Sequence, residues 1–250
     1  MTKQTVLDSC IIEGNNVYLP NVQLNRKLYV EVDKALKGIG GKWNRKEKAH
    51  VFPSDPSILL GRVKEGENIN LKKEFQFFAT PKKLAERLID LAEINNTHKI
   101  LEPSAGQGAI VQSINSLLPN QEVFCYEPMP SNKDILNKIK TVNFLGDDFL
   151  LSNNSTQLLF DRIIANPPFS KNQDITHVKQ MYNSLVPGGR LVSIMSEHFK
   201  FSINKKESEF REWLEVVNAE FEEIPRGTFK ESGTMVGGVI VIINKTAGSY

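Results

Sequence analysis

The sequence has only two cysteines among its 250 residues, and its four histidines are scattered along the chain. Cys10 and Cys125 lie far apart, and no Cys/His group has the spacing of a zinc site. We therefore expect neither a metal site nor a disulfide framework. Such a composition is typical of a protein from a reducing cytoplasm.

Long hydrophobic runs are also missing. No apolar stretch approaches the roughly 20 residues that a membrane helix requires, and residues Met1–Thr5 lack the apolar core of a signal peptide. Hydrophobic residues make up 40% of the chain and charged residues 24%, which is typical of a folded soluble protein. The length fits one α/β domain with a small appendage, and we expect no membrane partner.

The net charge is small but unevenly divided. The whole chain carries +2 at neutral pH. Residues 1–73 hold 13 Lys and Arg against 8 Asp and Glu, whereas residues 74–250 hold 18 against 21. A basic small part joined to a slightly acidic large part indicates an electrostatic partner for the small part. Nucleic acid is the first candidate, and a merely solvated basic surface is the alternative.

The sequence pattern changes near residue 70, where we place a domain boundary. Residues 1–70 are predicted to form a small basic α+β domain, with a helix over Arg26–Lys37 and a return hairpin closed by Pro53. Pro56–Asn70 is predicted to be a short helix and linker that Gly61 and Gly66 interrupt.

Residues 71–250 alternate between strand and helix patterns, beginning with a helix that Thr80 is expected to cap. This alternation predicts a doubly wound, Rossmann-like sheet of seven mostly parallel strands. The predicted strands are Ile100–Leu101, Val123–Tyr126, Val142–Leu145, Phe160–Ala165, Leu191–Met195, Phe221–Ile224 and Val236–Ile243. Because no helix is predicted between the last two, one strand should run antiparallel.

A proline-rich turn follows the strand Phe160–Ala165. Two prolines end that strand, and they hold Asn166 and Phe169 in a rigid turn at its carboxyl end, the edge where open parallel sheets bind ligands. The Asn166 amide, the Pro167 carbonyl and the Phe169 ring are suited to grip a planar group that carries an NH2. Pro168 completes the turn. A proline-stopped strand with a core Phe is the alternative.

A glycine-rich turn between strand and helix is the second candidate. Gly106 and Gly108 allow the backbone to approach a ligand closely, and the helix that follows favours negative groups at its start. Glu127 comes 21 positions after Gly106 at the end of the next strand, a placement that suits ribose hydroxyls. Dinucleotide binding is disfavoured because Val111 stands where a third glycine is expected.

At these residues the chain resembles class I S-adenosylmethionine-dependent methyltransferases, specifically the DNA adenine-N6 enzymes with an Asn-Pro-Pro-Phe motif. The resemblance covers about 170 residues, Phe75 to Lys245. It rests on five motifs in the family's order: Phe78-Ala79-Thr80-Pro81, Leu101 to Gly108, Glu127, Gly146 to Leu150, and Asn166 to Phe169.

The resemblance implies a methyl transfer from S-adenosylmethionine to the N6 amine of a flipped-out adenine in DNA. The implied cofactor-binding residues are Phe78, Thr80, Glu102, Ser104, Gly106, Gly108, Glu127, Asp148, Phe149 and Asn166. The implied catalytic residues are Asn166, Pro167, Pro168 and Phe169. It also implies a bacterial or phage-infected cell, with restriction or phage proteins as partners.

The nucleic-acid surface is expected outside the motifs. Little sequence follows the last predicted strand, so the N-terminal domain takes this role, which its weaker likeness to small domains preceding phage-type methyltransferases supports. The predicted contact residues are Lys42, Trp43, Arg45, Lys46 and, beyond the fifth strand, Lys200.

Other functions stay open at this point. An RNA adenine or a protein glutamine amide would use the same turn. A non-catalytic nucleic-acid-binding protein with a methyltransferase fold is an alternative from a different class. The intact Asn166, Gly106, Gly108 and Glu127 favour an active enzyme.

Overall fold

The computed structural model describes residues 1–52, 55–67, 69, 80–152, 158–229 and 237–246, apart from the side chains of Ile58 and Ser131. The chain divides into two compact units, Met1–Phe77 and Phe78–Tyr250. Each unit is described separately below.

The first unit combines short helices with an antiparallel sheet. Its helices are α1 (Lys3–Asp8), α2 (Arg26–Gly38) and α3 (Ser57–Lys64), and its strands are β1 (Ile11–Glu13), β2 (Asn16–Tyr18), β3 (Lys42–Asn44) and β4 (Ala49–Val51). The described strands are ordered β1-β2-β4-β3. The predicted helix and the two strands of the hairpin are present, and Pro53, the residue expected to close the hairpin, lies outside the described residues. The expected break at Gly61 is wrong, because α3 continues through Gly61 to Lys64.

The second unit alternates strands and helices. Its strands are β5 (Ile100–Glu102), β6 (Val123–Tyr126), β7 (Val142–Gly146), β8 (Phe160–Ala165), β9 (Leu185–Met195), β10 (Glu220–Ile224) and β11 (Gly238–Asn244). Its helices are α4 (Lys82–Ala92), α5 (Ala109–Leu117), α6 (Pro130–Leu136), α7 (Gln173–Asn183), α8 (His198–Phe201) and α9 (Lys205–Val216). Short 3-10 turns cover Phe149–Leu151 and Ser170–Asn172.

Within the described residues, these seven strands form one sheet in the order β10-β11-β9-β8-β5-β6-β7. β5 to β9 pair in parallel, whereas β11 runs antiparallel to both β9 and β10. The predicted mostly parallel, Rossmann-like sheet with one antiparallel strand is therefore confirmed.

Successive side chains of the central strands point to opposite faces of the sheet, and helices cover both faces. Ile100 and Ile164 pack into one apolar cluster with α4 and α5. Leu101 and Ile163 pack into a second cluster with α7 and α9. Each continuous apolar run in the sequence therefore contributes side chains to both clusters.

The carboxyl ends of the parallel strands form the edge of the sheet at which the candidate site lies. β5, β6, β7, β8 and β9 are parallel, so their carboxyl ends lie along the same edge of the sheet. Glu102 ends β5, and Glu127 and Asn166 directly follow β6 and β8. The described residues contain no helix long and apolar enough to cross a bilayer.

Candidate active site

Asn166 is held in place by a residue from a distant part of the sequence. Its Nδ2 atom donates a hydrogen bond to the Thr80 hydroxyl across 3.1 Å. Thr80 is buried, with 8% of its surface exposed, whereas Asn166 is half-buried. Because Nδ2 faces Thr80, the carbonyl oxygen Oδ1 occupies the other branch of the amide and is directed away from Thr80.

This contact changes the role of Thr80 that the sequence predicts. Thr80 is not the N-cap of α4, because Pro81 occupies that position and makes no side-chain capping bond. The Pro81 carbonyl accepts the first helical hydrogen bonds, from Leu84 and Ala85. The Thr80 hydroxyl is thereby left to orient Asn166.

The remainder of the turn is partly covered. Pro167 is buried, and Pro168 and Phe169 are half-buried. Phe169 packs against the cluster that contains α4 and α5. Its ring therefore combines an apolar support with exposed surface, which suits a stacking platform.

The glycine turn after β5 has the conformation that glycine permits. Gly106 and Gly108 have φ angles of +55° and +80°, in the left-handed region that other residues rarely adopt. At Gly108 a Cβ atom would also lie 2.8 Å from Cδ2 of Leu136. The backbone of this loop therefore favours glycine at both positions, and at Gly108 a side chain would also displace Leu136.

Glu127 joins this loop to the next helix. Its Oε2 atom accepts the Gly106 N–H at 2.8 Å, and its Oε1 atom accepts the Met129 N–H at 2.8 Å and the Asn132 amide at 3.2 Å. Burial raises the pKa of the Glu127 carboxyl, against the lowering effect of the bonds from Met129, Asn132 and Gly106. The sequence placed Glu127 and Gly106 at one site, and the structure brings them into direct contact.

Two polar atoms of the glycine loop are buried without a hydrogen-bond partner among the described residues: Glu102 Oε2 and Ser104 Oγ. Burial raises the pKa of Glu102 well above its usual range, and the negative charge of Glu127 raises it further. Unpaired buried polar atoms are costly. Six other buried atoms of the described residues also have no partner, so these two are distinguished by their position beside the glycine loop, where they are available to a ligand.

The two aspartates that follow β7 have different contacts. Asp147 forms an ion pair with Lys133. Asp148 is exposed and caps the 3-10 turn, where its Oδ1 atom accepts the Leu150 N–H at 2.9 Å. Phe149 is buried against Tyr126, with ring centres 5.4 Å apart. Asp148 and Phe149 therefore lie at the carboxyl edge, while Asp147 faces Lys133.

His177 is a residue of this region that the sequence did not indicate. It lies on α7, its ring centre is 5.7 Å from that of Phe149, and its Nδ1 atom has no partner among the described residues. Burial lowers the pKa of His177 to about 4, so the ring is neutral near pH 7. In the sequence, the one indication that His177 is buried is its position four residues before Met181, on the apolar face of the predicted helix.

The predicted nucleic-acid residues are on the surface of their units. Lys42 and Trp43 lie on β3, and Arg45 and Lys46 lie in the turn that follows. All four are exposed, and the Trp43 ring lies edge-on to His50 at 5.2 Å. In the second unit, Lys200 forms an ion pair with Glu223 at 2.7 Å. Phe78, the remaining predicted cofactor residue, lies outside the described residues.

Solved structures of methyltransferases share this architecture at low sequence identity. The methyltransferase subunit of a type I restriction-modification system from Streptococcus thermophilus aligns with a TM-score of 0.60 and 17% identity, over 77% of this chain and 50% of that chain. The M protein of the type I restriction enzyme EcoKI aligns with a TM-score of 0.58 and 14% identity, over 90% of this chain and 56% of that chain. The chain has the fold of class I methyltransferases.

A third structure, a putative class I S-adenosylmethionine-dependent methyltransferase from Listeria monocytogenes, aligns with a TM-score of 0.53 and 14% identity, over 78% of this chain and 68% of that chain. The present chain spans about half the length of the two restriction-modification subunits. No family model and no curated protein matches the sequence.

Proposed function

We propose that this chain transfers a methyl group from S-adenosylmethionine to the exocyclic N6 amine of adenine in DNA. The observation that carries the proposal is the Asn166 amide, which Thr80 holds in a fixed orientation at the carboxyl end of β8. That amide belongs to a turn with the Asn-Pro-Pro-Phe sequence, on the same sheet edge as the glycine loop.

The glycine loop fits the cofactor. Its two unpaired buried atoms, Glu102 Oε2 and Ser104 Oγ, match a ligand that carries an ammonium group and hydroxyl groups. Gly106 and Gly108 leave space along the backbone, and Glu127 has carboxylate oxygens suited to ribose hydroxyls. Asp148 and Phe149 would bind the adenine end. When bound, S-adenosylmethionine supplies a methyl group on a positively charged sulfur.

The chain itself supplies the activation of the acceptor. An aryl amine is a poor nucleophile because its lone pair is delocalised into the ring. The Asn166 Oδ1 atom and the Pro167 carbonyl accept the two amine hydrogens, which draws the nitrogen towards tetrahedral geometry and localises the lone pair. One of these protons leaves to water after the transfer. Fixed dipoles of this kind need no reorganisation during the reaction.

DNA is the acceptor that we favour. Two of the structures with this fold belong to type I restriction-modification systems, and the Asn166–Phe169 turn suits a base rotated out of the duplex, with Phe169 stacked on it. We infer a partner protein from a restriction-modification system or a phage, in a bacterial cytoplasm. The basic N-terminal unit, with Lys42, Trp43 and Arg45, provides a further DNA contact surface.

The proposal is tested by transfer of a labelled methyl group to separate DNA, RNA and protein acceptors, with calorimetric titration of S-adenosylmethionine and NAD in parallel. We expect binding of S-adenosylmethionine only, and label in DNA only. Label in RNA or in protein glutamine would assign a different acceptor. Cofactor binding without label in any acceptor would indicate a non-catalytic binding protein.

A further inference from the structure

The segment that follows β9 presents two apolar side chains to solvent. Phe201 ends α8 and Ile203 lies between α8 and α9, and they are 77% and 93% exposed. Single exposed apolar residues are common in soluble proteins. A Phe and an Ile two positions apart, both almost completely exposed, form a local apolar tip that no packing within the described residues explains.

The backbone of this tip is fixed rather than loosely attached. Arg211 Nη1 donates hydrogen bonds to the carbonyl oxygens of Phe199 and Ser202, at 2.6 and 2.7 Å. Phe199 is buried and packs against Phe210, with ring centres 5.3 Å apart. The buried Phe199 ring and the half-buried Arg211 side chain therefore hold the backbone on either side of Phe201.

Residues that flank the tip contact the segment that follows the Asn166–Phe169 turn. Asp174, near the start of α7, accepts hydrogen bonds from the backbone and the hydroxyl of Ser196, at 3.1 and 3.0 Å. Asn172, three residues after Phe169, donates to Glu207 Oε1 at 2.9 Å. Residues on both sides of the tip thus contact the segment that follows the Asn166–Phe169 turn.

Lysines follow the apolar pair in the sequence, and one more lies on the segment that its flanking residues contact. Lys171, Lys205 and Lys206 are exposed. Lys206 Nζ also donates to the carbonyl oxygen of Asn172 at 3.0 Å, and Lys205 pairs with Glu209 at 3.6 Å on the surface. Surface pairs of this kind are weak, so a phosphate competes with Glu209 effectively. An apolar tip among lysines complements a nucleic acid, which combines phosphates with stacked bases.

We propose that residues 198–206, together with Lys171, form a DNA contact surface in which Phe201 and Ile203 insert into the base stack beside the target base. This inference rests on the proposed function. The lysines would contact the phosphates and set the position of the chain on the duplex. The apolar pair would occupy the space that a rotated base vacates and so stabilise the open duplex.

The test measures DNA affinity as a function of salt for the full chain, with a fluorescent duplex oligonucleotide and fluorescence anisotropy. The variants are Phe201→Ala, Ile203→Ala, and the double variant Lys171→Ala with Lys205→Ala. The matched control is Val216→Ala, since Val216 is 78% exposed at the other end of α9, about 16 Å along the helix from Lys205. Because all these side chains are exposed, melting temperatures and cofactor affinity are expected to match those of the wild type.

We expect each apolar substitution to weaken binding at least fivefold at every salt concentration without a change in the salt dependence, which is about the effect of removing one stacked side chain. The lysine double variant should instead lower the slope of log affinity against log salt, by about 0.9 for each phosphate that a lysine no longer neutralises. Val216→Ala should bind as the wild type does.

Wild-type affinity in both apolar variants would overturn the inference while leaving the proposed function intact. A changed sedimentation coefficient with unchanged DNA affinity would also overturn it, because the tip would then be a protein–protein contact. Failure of the wild type itself to bind or methylate DNA would contradict the proposed function and this surface together.

Discussion

The Asn166 amide nitrogen and the Thr80 hydroxyl, 86 positions apart in the sequence, form a hydrogen bond of 3.1 Å that joins the residue after β8 to the second residue before α4. An amide side chain without such a partner rotates between two orientations with opposite chemistry. One presents its oxygen to a target amine, and the other presents its NH2 group. In the structure the Thr80 hydroxyl accepts from Nδ2, which corresponds to the first orientation.

Replacement of this hydroxyl gives the first prediction. Thr80→Val keeps the shape of the side chain but removes the acceptor, so Asn166 loses its preferred orientation. We expect kcat to fall at least about tenfold, as for the loss of one good hydrogen bond. Thr80→Ser restores the hydroxyl and should recover most of the rate. Equal kcat values for the Val and Ser variants would show that Thr80 does not position Asn166.

Glu127 gives a second prediction, because its carboxylate accepts from Gly106, Met129 and Asn132. Glu127→Gln turns one acceptor into a donor that faces another N–H group. We expect a loss of about 1–3 kcal/mol in the free energy of unfolding, measured by chemical denaturation, and S-adenosylmethionine affinity lowered at least about tenfold. Glu122→Gln is the matched control, since Glu122 is exposed just before β6. Similar losses in both variants would remove any special role for Glu127.

The third prediction concerns pH and Glu102. Burial, followed by the charge of Glu127, raises the pKa of the Glu102 carboxyl well above its usual range. The folded state therefore favours the protonated acid. The stability that Glu102 contributes is complete below the pKa of the unfolded chain, and it is lost as the pH rises through the folded pKa.

Glu102→Gln removes this titration while it retains a neutral polar group. We expect the wild type to lose more stability than the variant between about pH 5 and about pH 8. Asp174, whose pKa is also raised, is present in both proteins and cancels from the difference between the two stability curves. Because the charges of Glu102 and Glu127 interact, that difference reports the titration of Glu102 together with its effect on Glu127. Parallel curves would mean that Glu102 is ionised in the folded protein throughout this range.

Much of the second unit could be predicted from the sequence because local patterns determine it. An apolar run ended by two prolines determines β8 and the turn at Asn166, and the strand–glycine–helix pattern determines the loop at Gly106. The parallel order then brings Glu127 to the same edge. These features depend on backbone conformation and strand polarity, which neighbouring residues control.

The features that the sequence did not indicate depend on distant partners. Thr80 before Pro81 is a good local signal for a helix cap, yet the hydroxyl bonds Asn166 instead. Gly61 is a local helix breaker, but α3 continues through it. Phe201 and Ile203 are apolar and would be expected inside the protein, and only the packing of their neighbours shows that they face solvent.

The most direct test of the central claim is mass spectrometry of nucleosides from DNA incubated with S-adenosylmethionine and either the wild type or Asn166→Ala. We expect N6-methyldeoxyadenosine from the wild type and at least about 100-fold less from the variant, with S-adenosylmethionine affinity retained in both. Equal amounts of N6-methyldeoxyadenosine from the two proteins would contradict the role of the Asn166 amide.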